Sequence, residues 1–346
     1  MSSSRSTTTA VAAGAARLVL FVVVAVVAGL LAAGALLPFV GGTGIATRTA
    51  AEEFENLPDS FVAPPLPQRS VILAADGSRL ATVYYQNRIE VPLTKIAPVM
   101  RQAIVAVEDG RFYEHNGFDL RGFLRAAVGN SGGGQVQGGS TITQQYVKQV
   151  LINAAQTPEE VQAAQARTLS RKINELRYAL ALEKRLSKDE ILDRYLNIAY
   201  FGAGAYGVEA ASRRYFDKSA DSLDLVEAAT LAGLVQQPTG YDPLRHPKAS
   251  KIRRGMVLGR MVEQGYITAD EAAAAGRVKT KTFLHPKTVS NGCTTSVSPF
   301  FCDYVLQVIK NDRAFGKTPA AREMLLKQGG LTIHTTLRPR VQQRAT

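Results

Sequence analysis

Apolar side chains recur at helical spacing over most of the chain between Pro98 and about Gly276. Met100, Ala103, Ile104 and Val107 fall at i, i+3, i+4 and i+7, and Pro98 suits the first turn of the helix they predict. Leu169, Ile173, Leu176 and Leu180 predict the apolar face of another. Ser187 with Glu190, and Thr268 with Glu271, have the spacing of capping boxes at helix starts. Upstream the period changes. "SVILAADGSRLATVYY", 70–85, holds two β-rich runs on either side of Asp76-Gly77, a hairpin signal. Leu331–Thr336 reads as a further short strand. The expected class is mainly α with a small β-hairpin region.

Three stretches break this order. Leu18 to Leu37 is 20 residues without a charge. At about 1.5 Å per residue it reaches roughly 30 Å, one hydrocarbon core, and predicts an uncleaved N-terminal transmembrane helix. It splits the N-terminus into a Ser/Thr-rich cytoplasmic tail, 1–17, and a Pro- and Gly-punctuated extracytoplasmic tether, 38–69, with a helical piece around Ala50–Asn56. Arg5 and Arg17 precede the span and no acid appears before Glu52, which favours the N-terminus inside and the rest outside. "GNSGGGQVQGG", 129–139, is too rich in glycine for a regular element. Residues 153–168 are polar and read as a loop or a frayed helix.

Composition narrows the partners. The chain has 346 residues, 46% of them apolar, and a formal charge of +12. That charge suits nucleic acid, an acidic membrane face or a phosphorylated substrate. The aromatic–basic interleaving of single-strand binders is missing, and the folded part is expected outside the cell, so nucleic acid is set aside. Cys293 and Cys302, close in sequence and outside the membrane, are expected to form a disulfide, with two separate thiols as the alternative.

Three motifs carry candidate chemistry. Positions 100, 104 and 108 share one helical stripe, so Glu108 ends a buried face; burial raises a carboxylate's pKa and suits a general base or acid. The plain alternative is a helix that ends in two solvated acids. In "GGSTITQQYVKQVL", Thr141 and Gln144 fit a capping box. The helix start would offer N–H groups and the hydroxyls of Ser140 and Thr141 to an anion, with Gln144 and Lys148 on one face. In "RKINEL", Arg171 and Lys172 precede Glu175 by four and three residues, a cationic patch with a carboxylate or an ordinary surface ion pair.

Taken in order, "EDGRFYEHNGFD" (108–119), "GGSTITQQYVK" (138–148), "RKINELRYALALE" (171–183), "SKDEILDRYLNIAYFGAGAYGVEAAS" (187–212) and "EAATLAGLVQQPTGYDP" (227–243) resemble the glycosyltransferase (family 51) domain of class A, bifunctional, penicillin-binding proteins. The likeness covers about residues 70–285. It implies a lysozyme-like peptidoglycan glycosyltransferase domain that polymerises lipid II, with inversion and release of undecaprenyl pyrophosphate. By the match Glu108 is the general base. Glu175 acts on the donor side, where a divalent cation, Mg or Mn, is an option and not an obligatory cofactor. Lys148, Arg171 and Lys172 neutralise the leaving group. Ser140, Thr141, Gln144 and Gln145 line the cleft, and Asp109 and Phe112 shape the surroundings of the base. Tyr195 and Asn197 support the cleft wall, Asn197 also as a substrate contact, and His115 is structural.

The resemblance further implies lipid II, the growing glycan strand, the bilayer and other cell-wall synthesis proteins as partners, at the bacterial plasma membrane. Gly110 stands where the family often has a larger polar residue, and Gln149 replaces a common asparagine. The transpeptidase signature S-x-x-K, S-x-N and K-T-G is missing, and residues 286–346 read as a connection toward that domain. A peptidoglycan-cleaving enzyme of the same fold type and a non-catalytic membrane scaffold are the rival readings.

Overall fold

The computed structural model describes residues 61, 63–119, 121–122, 139–155, 157–166 and 168–345. The expected cytoplasmic tail, the expected span 18–37, the helical piece near 50–56 and most of the glycine-rich stretch lie outside them. Among the described residues no helix is long and apolar enough to cross a membrane.

The hairpin forms as its sequence predicts. β1 (Ser70–Leu73) and β2 (Arg79–Val83) pair antiparallel around Gly77, whose φ of 80° is the conformation that favours glycine. Asp76 closes the turn by accepting from the Ser78 N–H and hydroxyl. β5 (Thr332–His334) adds to the other edge of β1 in parallel, giving the order β2–β1–β5. Two-residue strands β3 (Asn87–Arg88) and β4 (Ala205–Tyr206) form a separate parallel ladder.

The helices follow in sequence as α1 (Pro98–Glu108), α2 (Ile142–Ala154), α3 (Pro158–Gln165), α4 (Leu169–Glu183), α5 (Lys188–Ile198) and α6 (Val208–Phe216). Then come α7 (Leu225–Leu234), α8 (Pro247–Glu263), α9 (Ala269–Arg277), α10 (Pro299–Asn311), α11 (Pro319–Gln328) and α12 (Pro339–Ala345). The capping boxes expected at Ser187/Glu190 and Thr268/Glu271 are both made, and similar boxes start α3 and α7. The polar stretch 153–168 therefore contains a capped helix, α3, held at its start by Thr157 and Glu160.

Two cores result. The larger is helical. Met100, Ala103 and Ile104 of α1 are fully buried in it, as the spacing predicts. Val105 and Ala106 are buried as well, because α1 lies between α7 and α8 and has two covered faces. In α4 the expected stripe of Ile173, Leu176 and Leu180 is only half-buried. The helix turns Glu175, Ala179 and Leu182 inward instead, and it packs on α2. A buried face that carries a carboxylate escapes a count of apolar positions. The smaller core joins Ile72, Leu80 and Val83 of the hairpin to Leu306, Ile309 and Leu326. The hairpin expected to head the helical domain thus shares its core with residues of the C-terminal 60, across the boundary drawn at 285.

Cys293 and Cys302 are disulfide-bonded, and Cys302 is fully buried in the smaller core. The bridge closes a short loop, so its removal costs about 2–3 kcal/mol by loop-closure entropy. Replacing both cysteines by alanine is expected to lower unfolding stability in urea by about that amount, with a first transition confined to the sheet and α10–α11.

Candidate active site

Asp109 places the parts. It follows the last residue of α1, is buried, and its carboxylate accepts the backbone N–H of Ile142 at 3.0 Å while His115 Nε2 lies 2.9 Å from both oxygens. Ile142 is the first residue of α2, so its N–H is one of the unpaired donors at a helix start. The bond brings the end of α1 and the start of α2 together. Thr141 caps α2 by accepting from the Gln144 N–H and donates its hydroxyl to the Gly117 carbonyl. Gln144 does not return the bond as a capping box would; its amide donates to the same carbonyl at 3.3 Å.

With α2 held there, Gln145 reaches Glu108. Its Nε2 donates to a Glu108 carboxylate oxygen at 2.7 Å, and its Oε1 accepts from the Tyr195 hydroxyl at 3.0 Å. The orientation of the amide follows from its partners, since a carboxylate can only accept. Burial pushes the pKa of Glu108 up, and Asp109 adds to this; the Gln145 hydrogen bond and the charge of Arg253 oppose it. Glu108 is also the last residue of α1, the helix end where negative charge is least favoured. Burial pushes the Tyr195 hydroxyl well above its usual value, so it stays a neutral donor.

A groove of about 980 Å³ opens over this acid. On the side of α2 and α4 it is lined by Ser140, Gln144, Lys148, Arg171, Lys172 and Glu175. Glu175 is 2% exposed and pairs with both cations: Arg171 through Nη1, and Lys172 at 3.4 Å. Lys172 also donates to the Ser140 hydroxyl at 2.6 Å. Desolvation first, then the charges of Arg171 and Lys148, lower the Lys172 pKa to about 8.

The structure brings together Glu108, Ser140, Gln144, Gln145, Lys148, Arg171, Lys172 and Glu175 in one groove. It turns four expected site residues elsewhere. Asp109 and Thr141 are engaged by the contacts just described. Phe112 is fully buried, with the Lys188 ammonium 4.5 Å from its ring centroid. Asn197 faces a second, smaller depression and exchanges two hydrogen bonds with the backbone of Val91. Sequence reasoning missed Arg253 and Arg260, which line the groove from α8. They lie on the polar side of an amphipathic helix whose buried side is Arg254, Val257, Leu258 and Met261, and a polar side by itself reads as solvated. Gly110, where a larger residue was expected, leaves space filled by Gln264: a Cβ there would meet its Nε2 at 2.7 Å.

Residues 76–262 match the family model described as Transglycosylase. The chain belongs to this transglycosylase family. It is 40% identical over 278 residues to penicillin-binding protein 1F of Bacillus subtilis (strain 168), covering 80% of this chain and 36% of that one. It is 37% identical over 289 residues to penicillin-binding protein 1A of Mycobacterium tuberculosis (strain ATCC 25618 / H37Rv), covering 80% and 32%. Penicillin-binding protein 1A of Escherichia coli (strain K12) is 38% identical over 275 residues, covering 79% and 29%. The chain therefore spans about a third of the length of these relatives. The transglycosylase match takes in both walls of the groove, α1 through α8 up to Val262.

A carboxyl whose folded pKa is raised contributes stability below its unfolded pKa and loses it as pH rises through the folded value. Glu108→Gln is therefore expected to raise the thermal midpoint at pH 7 relative to wild type. The gain should vanish below the ordinary glutamate pKa of about 4.3, where both chains carry a neutral side chain. Calorimetry across pH 3.5–7.5, roughly the span over which such a carboxyl titrates, checks the sign.

Proposed function

We propose that the chain is the peptidoglycan glycosyltransferase part of a class A penicillin-binding protein and that its groove polymerises lipid II on a lysozyme-like fold. The observation that carries this reading is the placement of a desolvated carboxylate, Glu108, in the same groove as Lys148, Arg171 and Lys172. The carboxylate takes the proton from the acceptor sugar's 4-hydroxyl. The oxygen attacks C1 of the donor sugar from the face opposite its phosphate, the C1–O bond breaks, and undecaprenyl pyrophosphate departs with the electron pair. One displacement inverts C1. Gln145, fixed by Tyr195, points the carboxylate, and the three cations on α2 and α4 stabilise charge that develops only as the bond breaks.

Glu175, which pairs with Arg171 and Lys172, is the carboxylate that would hold an optional divalent cation, with the substrate's phosphates supplying further oxygens; such an ion would add to the neutralisation of the leaving group. No step is drawn through a metal. Membrane anchoring through residues 18–37, an extracytoplasmic groove at the plasma membrane and contact with other cell-wall synthesis proteins complete the proposal.

The test is lipid II polymerisation. Wild type should lengthen glycan strands, and Glu108→Gln should lose about 10²–10⁴ in kcat, the usual contribution of a general base. Clearing of preformed sacculi without polymer formation would establish the cleaving alternative.

The pH profile adds a second test. The rate should rise with pH as Glu108 ionises. It should fall above about 8 as Lys172 loses its charge. Gln145→Leu removes a bond that favours the ionised carboxylate, so the acid limb of kcat/KM moves to higher pH. Lys172→Arg keeps its charge and extends the basic limb. Unmoved limbs in both variants would remove these groups from the mechanism.

A further inference from the structure

The sequence has two Asn-Gly pairs, 116–117 and 291–292. Glycine has no Cβ to shield its backbone nitrogen, so in this dipeptide that nitrogen can reach the carbonyl of the asparagine side chain. The two pairs are chemically the same, but the fold treats them differently. Asn291 and Gly292 lie against the end of β2 with every reacting group engaged. Asn291 Oδ1 accepts from the Tyr84 N–H at 3.1 Å, its Nδ2 donates to the Tyr84 carbonyl at 3.0 Å, and the Gly292 N–H donates to the Thr82 carbonyl at 2.8 Å. Cys293, next in sequence, is tied to α10 by the disulfide. Asn116 is exposed, and neither its side chain nor the Gly117 N–H makes a hydrogen bond among the described residues.

We propose that Asn116 is a site of spontaneous deamidation and that its isoaspartyl product disables the groove. The Gly117 nitrogen gives up its proton and attacks the side-chain carbon of Asn116. The bond from that carbon to the amide nitrogen breaks, and the nitrogen leaves with a proton as ammonia. Water then opens the cyclic imide at one of its two carbonyls. One opening gives aspartate; the other gives isoaspartate, in which the chain runs through the side-chain carbon. Net, water enters and ammonia leaves, with nothing oxidised or reduced.

Isoaspartate adds one carbon to the backbone, about 1.5 Å of chain, between two fixed points. On one side His115 Nε2 lies 2.9 Å from both Asp109 oxygens. On the other the Gly117 carbonyl accepts the Thr141 hydroxyl at 3.0 Å and the Gln144 amide at 3.3 Å. Gly117 has no room on the side of α4, where a Cβ would meet the Ala179 carbonyl at 3.2 Å. Hydrogen bonds of this length do not survive a shift of that size, so one of the two points lets go. Both set the start of α2, which carries Gln145 to Glu108. The aspartyl product keeps the chain length and changes only an exposed side chain. The loss of groove activity rests on the sugar-transfer reading; the modification itself does not.

The test ages the full chain in warm, mildly alkaline buffer and maps both asparagines by peptide mass spectrometry, with isoaspartate read by L-isoaspartyl methyltransferase. Asn116 should convert about tenfold or more faster than Asn291, where three hydrogen bonds must open first. In urea with the disulfide reduced, the two rates should agree within about threefold, because the unfolded chain shelters neither pair. Lipid II polymerisation should fall in step with isoaspartate at position 116, by about 10²-fold in the converted molecules, the cost of an ångström-scale misplacement. Methyltransferase repair, which returns isoaspartate through the imide to aspartate, should restore it. Fresh Asn116→Asp should polymerise within about threefold of wild type, the range of an exposed substitution. Asn116→Gln, whose longer side chain must close a larger and slower ring, should keep its activity through ageing. Equal native rates at the two asparagines overturn the proposal. So does an isoaspartyl chain as active as fresh protein, or a fresh Asn116→Asp as inactive as the aged chain. Fresh wild type that makes no polymer while Asn116 still converts first would overturn the sugar-transfer reading and leave the modification site standing.

Discussion

The carboxylate of Asp109 is the joint on which the groove depends. A helix start exposes N–H groups that must find partners, and a helix end carries a side chain wherever its last turn points. Asp109 meets the first need with Ile142 and takes His115 on the same oxygens. The contact sets α2 against the end of α1 at a separation that lets Gln145 touch Glu108. The two adjacent acids of one motif therefore have different work. Asp109 is surrounded by donors and holds the architecture; Glu108 receives one donor and is otherwise desolvated.

That contrast organises the charges around the groove. Desolvation makes Glu108 a stronger base than a surface carboxylate and makes Lys172 a weaker cation than a surface lysine. Both shifts bring a group closer to neutral pH, and both have the same origin in a partly closed groove. Tyr195 adds control of orientation. The carboxylate, which can only accept, takes the NH2 end of the Gln145 amide, and the Tyr195 hydroxyl holds the oxygen end as a neutral phenol that does not compete for the proton.

The helices were legible wherever apolar periodicity and caps agreed: α1 with Pro98 at its start, α5 with Ser187 and Glu190, α9 with Thr268 and Glu271. The face of α4 was not, because Glu175 is inside on account of its ion pairs and not its polarity. The motif residues separated into two groups by contacts that no spacing records. Phe112 and Asn197 sit within the same motifs as groove residues, yet one is buried in the core and the other ties down Val91. Arg253 and Arg260 were hidden for the opposite reason. Charged residues on the outer side of a helix look the same in sequence whether they face bulk water or a shared cavity. The smaller core was hidden by distance, since Ile72 and Leu326 come from opposite ends of the folded chain.

That smaller core changes how the larger one can come apart. β1 and β5 lie side by side and run parallel, one before the helical body and one after it. In topology the helices are a long excursion between two strands of a single sheet, tied again where Gln68 bridges Gly329. An excursion clasped at its neck has no loose end from which to unravel. Pulling on either flank loads the neck first and shields the helices that line the groove from tension transmitted along the polypeptide.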